Sequence, residues 1–243
     1  MKKFLCIILL LNGLYAHSQF IVKDDVYDFP IKQGSKEWAE IESVEKRITA
    51  LQIPDNVLLD ISTEGLLETC LAFPYLIDIL FCDNYQKGFE ALVAEFNGFQ
   101  ELLKRKDLIT VLLNKYKNLT TDVTSLRYQN SVEQGKFSFR HFVLEFMLTQ
   151  DVVFKNLNLE QERQLFLLTA EHKKIKNSYL DIFSNLNFLS TNVLYAKKII
   201  NDPNFKFESI EQKKAISDFV NAPLYIDQQI IGDLEKQVML NIK

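Results

Sequence analysis

The chain has 243 residues, of which 47% are hydrophobic and 25% are charged, as is ordinary for a folded protein with a buried core. A formal net charge of -4 argues against a nucleic-acid-binding protein, which would need a basic face. With only 7 Gly and 5 Pro the chain has too few turn signals for an all-β sandwich, so an all-α fold is favoured.

Residues 1–18 have the pattern of a secretory signal peptide. Two N-terminal lysines precede the apolar run 4–11, and small side chains follow at Ala16 and Ser18. The run is shorter than the roughly 20 residues that cross a bilayer, so we expect cleavage after Ser18 and no transmembrane segment in the mature chain. The mature chain, whose net charge is -6 once both lysines are lost, is therefore expected to be exported, either periplasmic or extracellular.

Residues 19–34 are apolar but lack helical periodicity, and they are predicted to form an extended N-terminal arm that lies on a helical body. Their apolar side chains are too many for a free tail. These are Phe20, Ile21, Val22, Val26, Tyr27, Phe29 and Ile31.

Residues 35–118 form the predicted first helical half, where apolar side chains recur at the α-helical period. The stripes are Ile41, Val44, Ile48 and Leu51, then Phe89, Leu92, Val93 and Phe96, then Ile109, Leu112, Leu113 and Tyr116. Ser35, Pro54 and Ser62 or Thr63 mark expected helix starts, and Asp83 or Asn84 is expected to cap a later helix. Asn97-Gly98 is expected to end that helix, because both residue types tolerate left-handed backbone.

Residues 119–136 are polar and weakly periodic, and they are predicted to be a linker or long loop. Residues 137–243 form the predicted second helical half. Its stripes are Phe139, Phe142, Val143, Phe146 and Met147, then Ile182, Leu186, Leu189 and Val193, then Ile226, Ile230, Leu234 and Val238.

A faint internal repeat aligns the helix pair that begins at Leu67-Glu68 with the pair that begins at Leu144-Glu145. Stacked antiparallel helix pairs of this kind would form an α-solenoid-like, two-layer array. Chance similarity between two amphipathic pairs is the alternative explanation.

Two cysteines follow the leader, Cys70 and Cys82. On one unbroken helix they would lie about 18 Å apart, beyond disulfide reach, although Pro74 between them could fold the chain back. Two buried free thiols are therefore favoured over a disulfide.

The segment 62–107 resembles a group of secreted, all-helical bacterial proteins of uncharacterised function. The resemblance is carried by Thr63-Glu64, Leu67 to Cys70, Pro74, Asn84-Tyr85, Phe96-Asn97-Gly98, Glu101-Leu102, Arg105 and Asp107. It implies secretion and a helical fold, and it brings no catalytic residues. The polar residues in this segment are the candidate binding positions, together with a basic run that either grips an acidic partner or complements a helix dipole. The candidates are Asn84, Tyr85, Asn97, Lys104, Arg105 and Asp107.

The sequence predicts no catalytic residue, metal ligand or cofactor. His141 and His172 do not form a His-Glu-x-x-His motif, and no Gly-x-Ser-x-Gly motif occurs. His141 is expected to be partly buried in a helix and His172 to be solvated, next to a basic run that includes Lys174 and Lys176. The carboxylates are expected on solvated helix faces, among them Asp78, Glu90, Glu95, Glu101 and Glu145.

These features predict an exported interaction module that binds a protein or peptide of the cell envelope or extracellular space. The abundant aromatic residues, 19 Phe and 9 Tyr, leave open a carrier of an apolar small molecule. A hydrolase that uses paired carboxylates is a further alternative, since it would need two of them facing each other across a cleft.

Overall fold

The computed structural model describes residues 22–23, 25–119, 130–223 and 234–242. Within these ranges the chain forms 14 helices and two short strands, which confirms the all-α class. The elements are β1 (Val22–Lys23), β2 (Val26–Tyr27), α1 (Lys36–Glu40), α2 (Val44–Ala50), α3 (Asp55–Asp60), α4 (Thr63–Leu71), a 3₁₀ helix (Leu76–Phe81), α5 (Tyr85–Glu95), α6 (Asn97–Leu102), α7 (Leu108–Asn118), α8 (Ser131–Leu148), α9 (Asp151–Phe154), α10 (Leu159–Ser178), α11 (Asn185–Asn201), α12 (Ile210–Asn221) and α13 (Leu234–Asn241).

The described part of the N-terminal arm is a small antiparallel hairpin that packs on α4. Val22 of β1 lies opposite Tyr27 of β2. The backbone N–H of Tyr27 donates to Thr69 Oγ1 at 3.0 Å, and the side chains of Tyr27 and Phe29 are buried in the core. The hairpin is thus fixed to the helical body by a buried hydrogen bond and two aromatic side chains.

Side-chain caps fix several helix starts in the first half, as their sequence signals indicate. The hydroxyls of Ser35 and Ser62 accept from the backbone N–H groups of Trp38 and Gly65, and Asn84 caps α5. Each bond satisfies an N–H group that the first helical turn leaves without a backbone partner.

Asn97-Gly98 does not end a helix with left-handed backbone, so that prediction is wrong. α5 ends at Glu95, and Asn97 is already the first residue of α6. The Asn97 side chain accepts from the backbone N–H of Ile53 at 3.0 Å and donates to its carbonyl at 2.7 Å. Because this amide bonds both the backbone N–H and the carbonyl of Ile53, it fixes the corner between α5 and α6 through a tertiary contact.

Helix α8 begins at Ser131, inside the segment predicted as a linker over 119–136. Asn130 caps it by accepting from the N–H groups of Val132 and Glu133 at 3.1 Å. The linker residues 120–129 lie outside the described residues.

Helix α11 lies at the centre of the second half, where it packs against α8, α10, α12 and α13. One cluster of buried apolar residues extends from Tyr27 of the hairpin to Val238 of α13 and includes residues of both predicted halves. The two halves therefore share a core. The solenoid-like stacking of helix pairs stays a prediction.

No helix in the described ranges combines the length and the hydrophobicity that crossing a bilayer requires. The predicted signal peptide, 1–18, lies outside those ranges.

Candidate functional site

Helices α8 and α10 each direct two ionisable side chains into the core. On α8 these are His141 and Glu145, and on α10 they are His172 and Lys176; the four-residue spacing places each pair on one helix face. None of the four is more than 2% exposed. We call these four residues, with Tyr116 of α7 and with Ser190 and Thr191 of α11, the buried polar centre.

Glu145 and Lys176 form a fully buried ion pair. Lys176 Nζ lies 2.7 Å from both carboxylate oxygens and also donates to the Asn187 carbonyl at 2.9 Å. Tyr116 Oη donates to Glu145 Oε1 at 2.7 Å, and the hydroxyls of Ser190 and Thr191 also bond the carboxylate. Every polar atom of the pair thus has partners, as a buried charge requires.

The two imidazoles bond each other beside this ion pair. His141 Nε2 lies 2.8 Å from His172 Nδ1, so one of these nitrogens carries a hydrogen and the other a lone pair. The outer nitrogens, His141 Nδ1 and His172 Nε2, are buried without a hydrogen-bond partner among the described residues. His141 Nδ1 is 3.8 Å from Glu145 Oε1, too far for a hydrogen bond.

Burial shifts the protonation equilibria of the buried polar centre. Desolvation, followed by the charge of Lys176, holds the pKa of His141 well below its usual value. Desolvation and His141 lower the pKa of His172 to about 3, against the opposing effect of Glu145. Desolvation also lowers the pKa of Lys176 and raises that of Tyr116 well above 10. Both imidazoles are therefore neutral at pH 7.

A metal ion does not fit this arrangement. His141, Glu145 and His172 bring ligand atoms within 4.8 Å of one another, which is a spacing that a cation could bridge. The Lys176 ammonium already supplies the compensating charge and contacts both oxygens of Glu145. A metal would have to displace this ammonium and leave it buried without an anion, at a cost of several kcal/mol. We therefore interpret the buried polar centre as structural.

The buried polar centre corrects two expectations from the sequence. Glu145 and His172 are buried, not solvated, and Lys176 lies in the core although the run around it is basic. One signal could have identified Glu145: it is the only charge in the apolar run 142–148. A charge at that position has no solvated helix face to occupy.

A cleft of about 430 Å³ opens between α5, α9, α11 and α12. Its apolar lining is Phe89, Val93, Leu103, Val152 and Val220, and its polar lining is Gln86, Glu90, Gln150, Asp151, Lys197 and Asn221. We call it the interhelical cleft. It joins both halves of the chain, because α5 belongs to the first half and the other three helices to the second.

Two glutamine amides pair across the interhelical cleft. Gln86 Nε2 donates to Gln150 Oε1 at 3.0 Å, and Gln150 Nε2 donates back to Gln86 Oε1 at 3.2 Å. The second hydrogens of the two amides go to Glu90 Oε1 and to the Phe146 carbonyl. Both amide nitrogens are thus saturated, whereas each amide oxygen keeps a lone pair. The pair therefore has acceptor capacity left at its oxygens and no donor hydrogen.

The charged edge of the cleft holds one compensated carboxylate. Asp151 bonds Lys155 at 2.6 Å and also Lys197, and these two ammonium groups lower its pKa. A glycosidase general acid needs a raised pKa, so the lowered pKa of Asp151 does not suit that role.

The candidate binding residues from the sequence lie in three places. Asn84 and Tyr85 precede Gln86 of the cleft; Asn84 Nδ2 donates to the Asn221 carbonyl at 3.2 Å, and Tyr85 packs edge-on against Phe142. Asn97 joins the α5–α6 corner to Ile53.

The remaining candidates lie near the N-terminus of α4 and the end of α6. Asp107 accepts from Thr63 Oγ1 at 2.7 Å, and Arg105 pairs with Glu101 at 2.9 Å. Lys104 is exposed. Lys104, Arg105 and Asp107 do not line the cleft. The polar contacts of Arg105 and Asp107 are with other residues of the same helical body.

Cys70 and Cys82 are free thiols. Cys70 is buried, which raises its pKa well above the usual value, and Cys82 is partly exposed.

No family model matches this chain, and neither a curated protein nor a solved structure matches it. The resemblance to a secreted bacterial family therefore stays a prediction.

Proposed function

We propose that the mature chain is an exported interaction module that binds a peptide segment of a partner protein in the interhelical cleft, with a basic side chain of the peptide as the anchor. The observation that carries this proposal is the paired amides of Gln86 and Gln150, which line a cleft with apolar residues and have no donor hydrogen left. Acceptor oxygens whose own amide hydrogens are already used favour a ligand rich in N–H groups.

The polar side of the cleft favours a cation over a neutral donor. Glu90 accepts from Gln86 and belongs to the lining, and it is exposed on α5. Asp151 is compensated by two lysines, so Glu90 is the carboxylate left to pair with a ligand. An arginine offers five N–H donors in a planar fork that suits carboxylate and amide oxygens together.

The apolar side of the cleft fits the remainder of such a peptide. Val93, Leu103 and Val220 can pack against the methylene stem of an arginine, which buries apolar surface while its head stays polar. The volume of 430 Å³ lies within the range of sites that enclose a small ligand or one anchoring side chain. Neighbouring side chains of an extended peptide would then lie over the rim.

Export is part of this proposal and rests on the leader-like residues 1–18. It places the partner in the cell envelope or the extracellular space. N-terminal sequencing of the protein from its own host tests export, and Gln19 is the expected first residue.

An NMR titration of the mature chain tests the cleft. The probe is the peptide acetyl-Leu-Arg-Leu-amide, and its partner probe carries citrulline, a neutral near-isostere, in place of arginine. We expect the arginine peptide to shift the side-chain amide signals of Gln86 and Gln150 and to bind at least about fivefold more tightly than the citrulline peptide, because only it can pair with Glu90.

The matched variants are Glu90→Gln and Glu95→Gln, both on exposed positions of α5. Glu90→Gln should remove the preference for arginine, whereas Glu95→Gln, outside the cleft lining, should retain it. Equal affinity for both peptides, or shifts confined to residues away from the cleft, would contradict the proposal.

A further inference from the structure

The His141–His172 hydrogen bond places a strict limit on the number of protons in the buried polar centre. Two neutral imidazoles share two N–H groups among four nitrogens, and one of these hydrogens lies in the 2.8 Å contact. One further proton can be held on an outer nitrogen without breaking that contact. A second would place two N–H groups opposite each other, and the rings would have to separate.

Among the described residues, the surroundings offer no free counter-charge for either proton. From α8, Glu145 faces the imidazoles, but its carboxylate is already paired with Lys176 of α10. Tyr116 of α7 donates to the same carboxylate, and its ring lies 4.0 Å from that of His172 between centroids. Thr191 of α11 bonds Glu145 and Lys176. A protonated imidazole would add a net positive charge to a neutral, buried centre.

We propose that the buried polar centre is an acid-sensitive latch: proton uptake by the His141–His172 pair drives α8 and α10 apart and opens the helical body. The protons come from solvent and bind the imidazole lone pairs. No covalent bond breaks, but the second proton takes the lone pair that accepts the hydrogen bond between the two rings. The latch joins α7, α8, α10 and α11, which all contribute side chains to the centre. It acts independently of the peptide-binding proposal.

The direction of the pH effect follows from the two states. In the unfolded chain both histidines titrate near pH 6.5, whereas in the folded chain the pKa of His172 falls to about 3 and that of His141 is also lowered. Between these limits the unfolded chain binds more protons, so the folded state is weakened as pH falls below 6.5. Each histidine shifts the folding equilibrium by up to about tenfold per pH unit, and the pair by up to about a hundredfold.

Urea denaturation of the full chain between pH 7.5 and pH 4.5 tests the latch. We expect the wild type to lose stability steeply below pH 6.5. For the double variant His141→Gln, His172→Gln, the folding equilibrium constant should fall by up to about a hundredfold less per pH unit over the same range, because neutral amides cannot take up protons. Phe142→Leu is the matched control, since it weakens the same helix without removing a titrating group and should keep the wild-type slope.

A second measurement uses only the wild type. After removal of the leader, His141 and His172 are the only histidines, so their two Cε1–H signals are readily resolved by NMR. Both should stay at the neutral position in the folded protein until it opens. Titration of both signals near pH 6.5 in the folded protein, or equal pH slopes for the wild type and the double variant, would overturn the proposal.

Discussion

Glu145 tolerates complete burial because four groups share its charge. Lys176 and three hydroxyls, from Tyr116, Ser190 and Thr191, contact its two oxygens, while Lys176 also bonds the Asn187 carbonyl. Replacing either member of the Glu145–Lys176 pair leaves the other charge buried without a counter-charge. A buried pair of this kind is therefore costly to break, even where it adds little net stability.

Lys176→Met should destabilise the fold by about 3–5 kcal/mol, because Glu145 would remain buried without a counter-charge. Chemical denaturation at pH 7 measures the change in unfolding free energy. Lys198→Met is the control: Lys198 pairs with Glu162 at a partly exposed site, and its loss should cost less than about 1 kcal/mol. Similar costs for the two variants would show that the buried pair is not specially important.

At the scale of elements, Gly65 fixes how closely the N-terminal hairpin approaches α4. A Cβ atom at this position would overlap the backbone carbonyl of Asp25, which is not a flexible side-chain end. The hairpin can therefore pack on α4 only because residue 65 has no side chain. Gly135, in an exposed part of α8, has nothing within 4 Å of the corresponding position.

Gly65→Ala and Gly135→Ala form a matched pair with opposite expected signs. Gly65→Ala should cost about 1–3 kcal/mol, because the hairpin must shift away from α4. Gly135→Ala should gain about 0.5–1 kcal/mol, since alanine has the higher helix propensity. Thermal unfolding followed by circular dichroism measures both, and a stabilising Gly65→Ala would refute the close hairpin contact.

At the scale of the whole molecule, the two predicted halves are joined by a shared core and by polar contacts. Tyr116 of the first half donates to Glu145 of the second, and Asn84 of the first donates to the carbonyl of Asn221 in the second. Arg140 and Lys115, one from each half, also pair with Glu68. Neither half can separate without exposing apolar surface and breaking buried polar bonds.

We therefore expect one cooperative unfolding transition. Trp38, the single tryptophan, stacks on Tyr75 in the first half and reports on that half by fluorescence. Far-ultraviolet circular dichroism reports on the helices of both halves. The two signals should give coincident urea transitions. Two separated midpoints would show that the halves unfold independently.

The helical class and several helix boundaries follow from the sequence because their causes are local. Apolar side chains at the α-helical period specify which face of a helix is buried, and Ser35, Ser62 and Asn84 bond N–H groups two or three residues away. The α5–α6 corner could not be predicted from the sequence, because Asn97 bonds Ile53, which is distant in sequence. A distant partner overrode the turn preference of Asn97-Gly98.

The sequence by itself determined that this chain forms helices with buried apolar faces, since hydrophobic burial and capping act within a few residues. Only the tertiary structure decided that Glu145, Lys176, His141 and His172 meet in the core and that Gln86 and Gln150 pair across a cleft. These side chains come from helices far apart along the chain. Whether a polar residue faces water or a partner depends on the packing of those helices, because a charge is tolerated in the core only where another helix supplies its counter-charge.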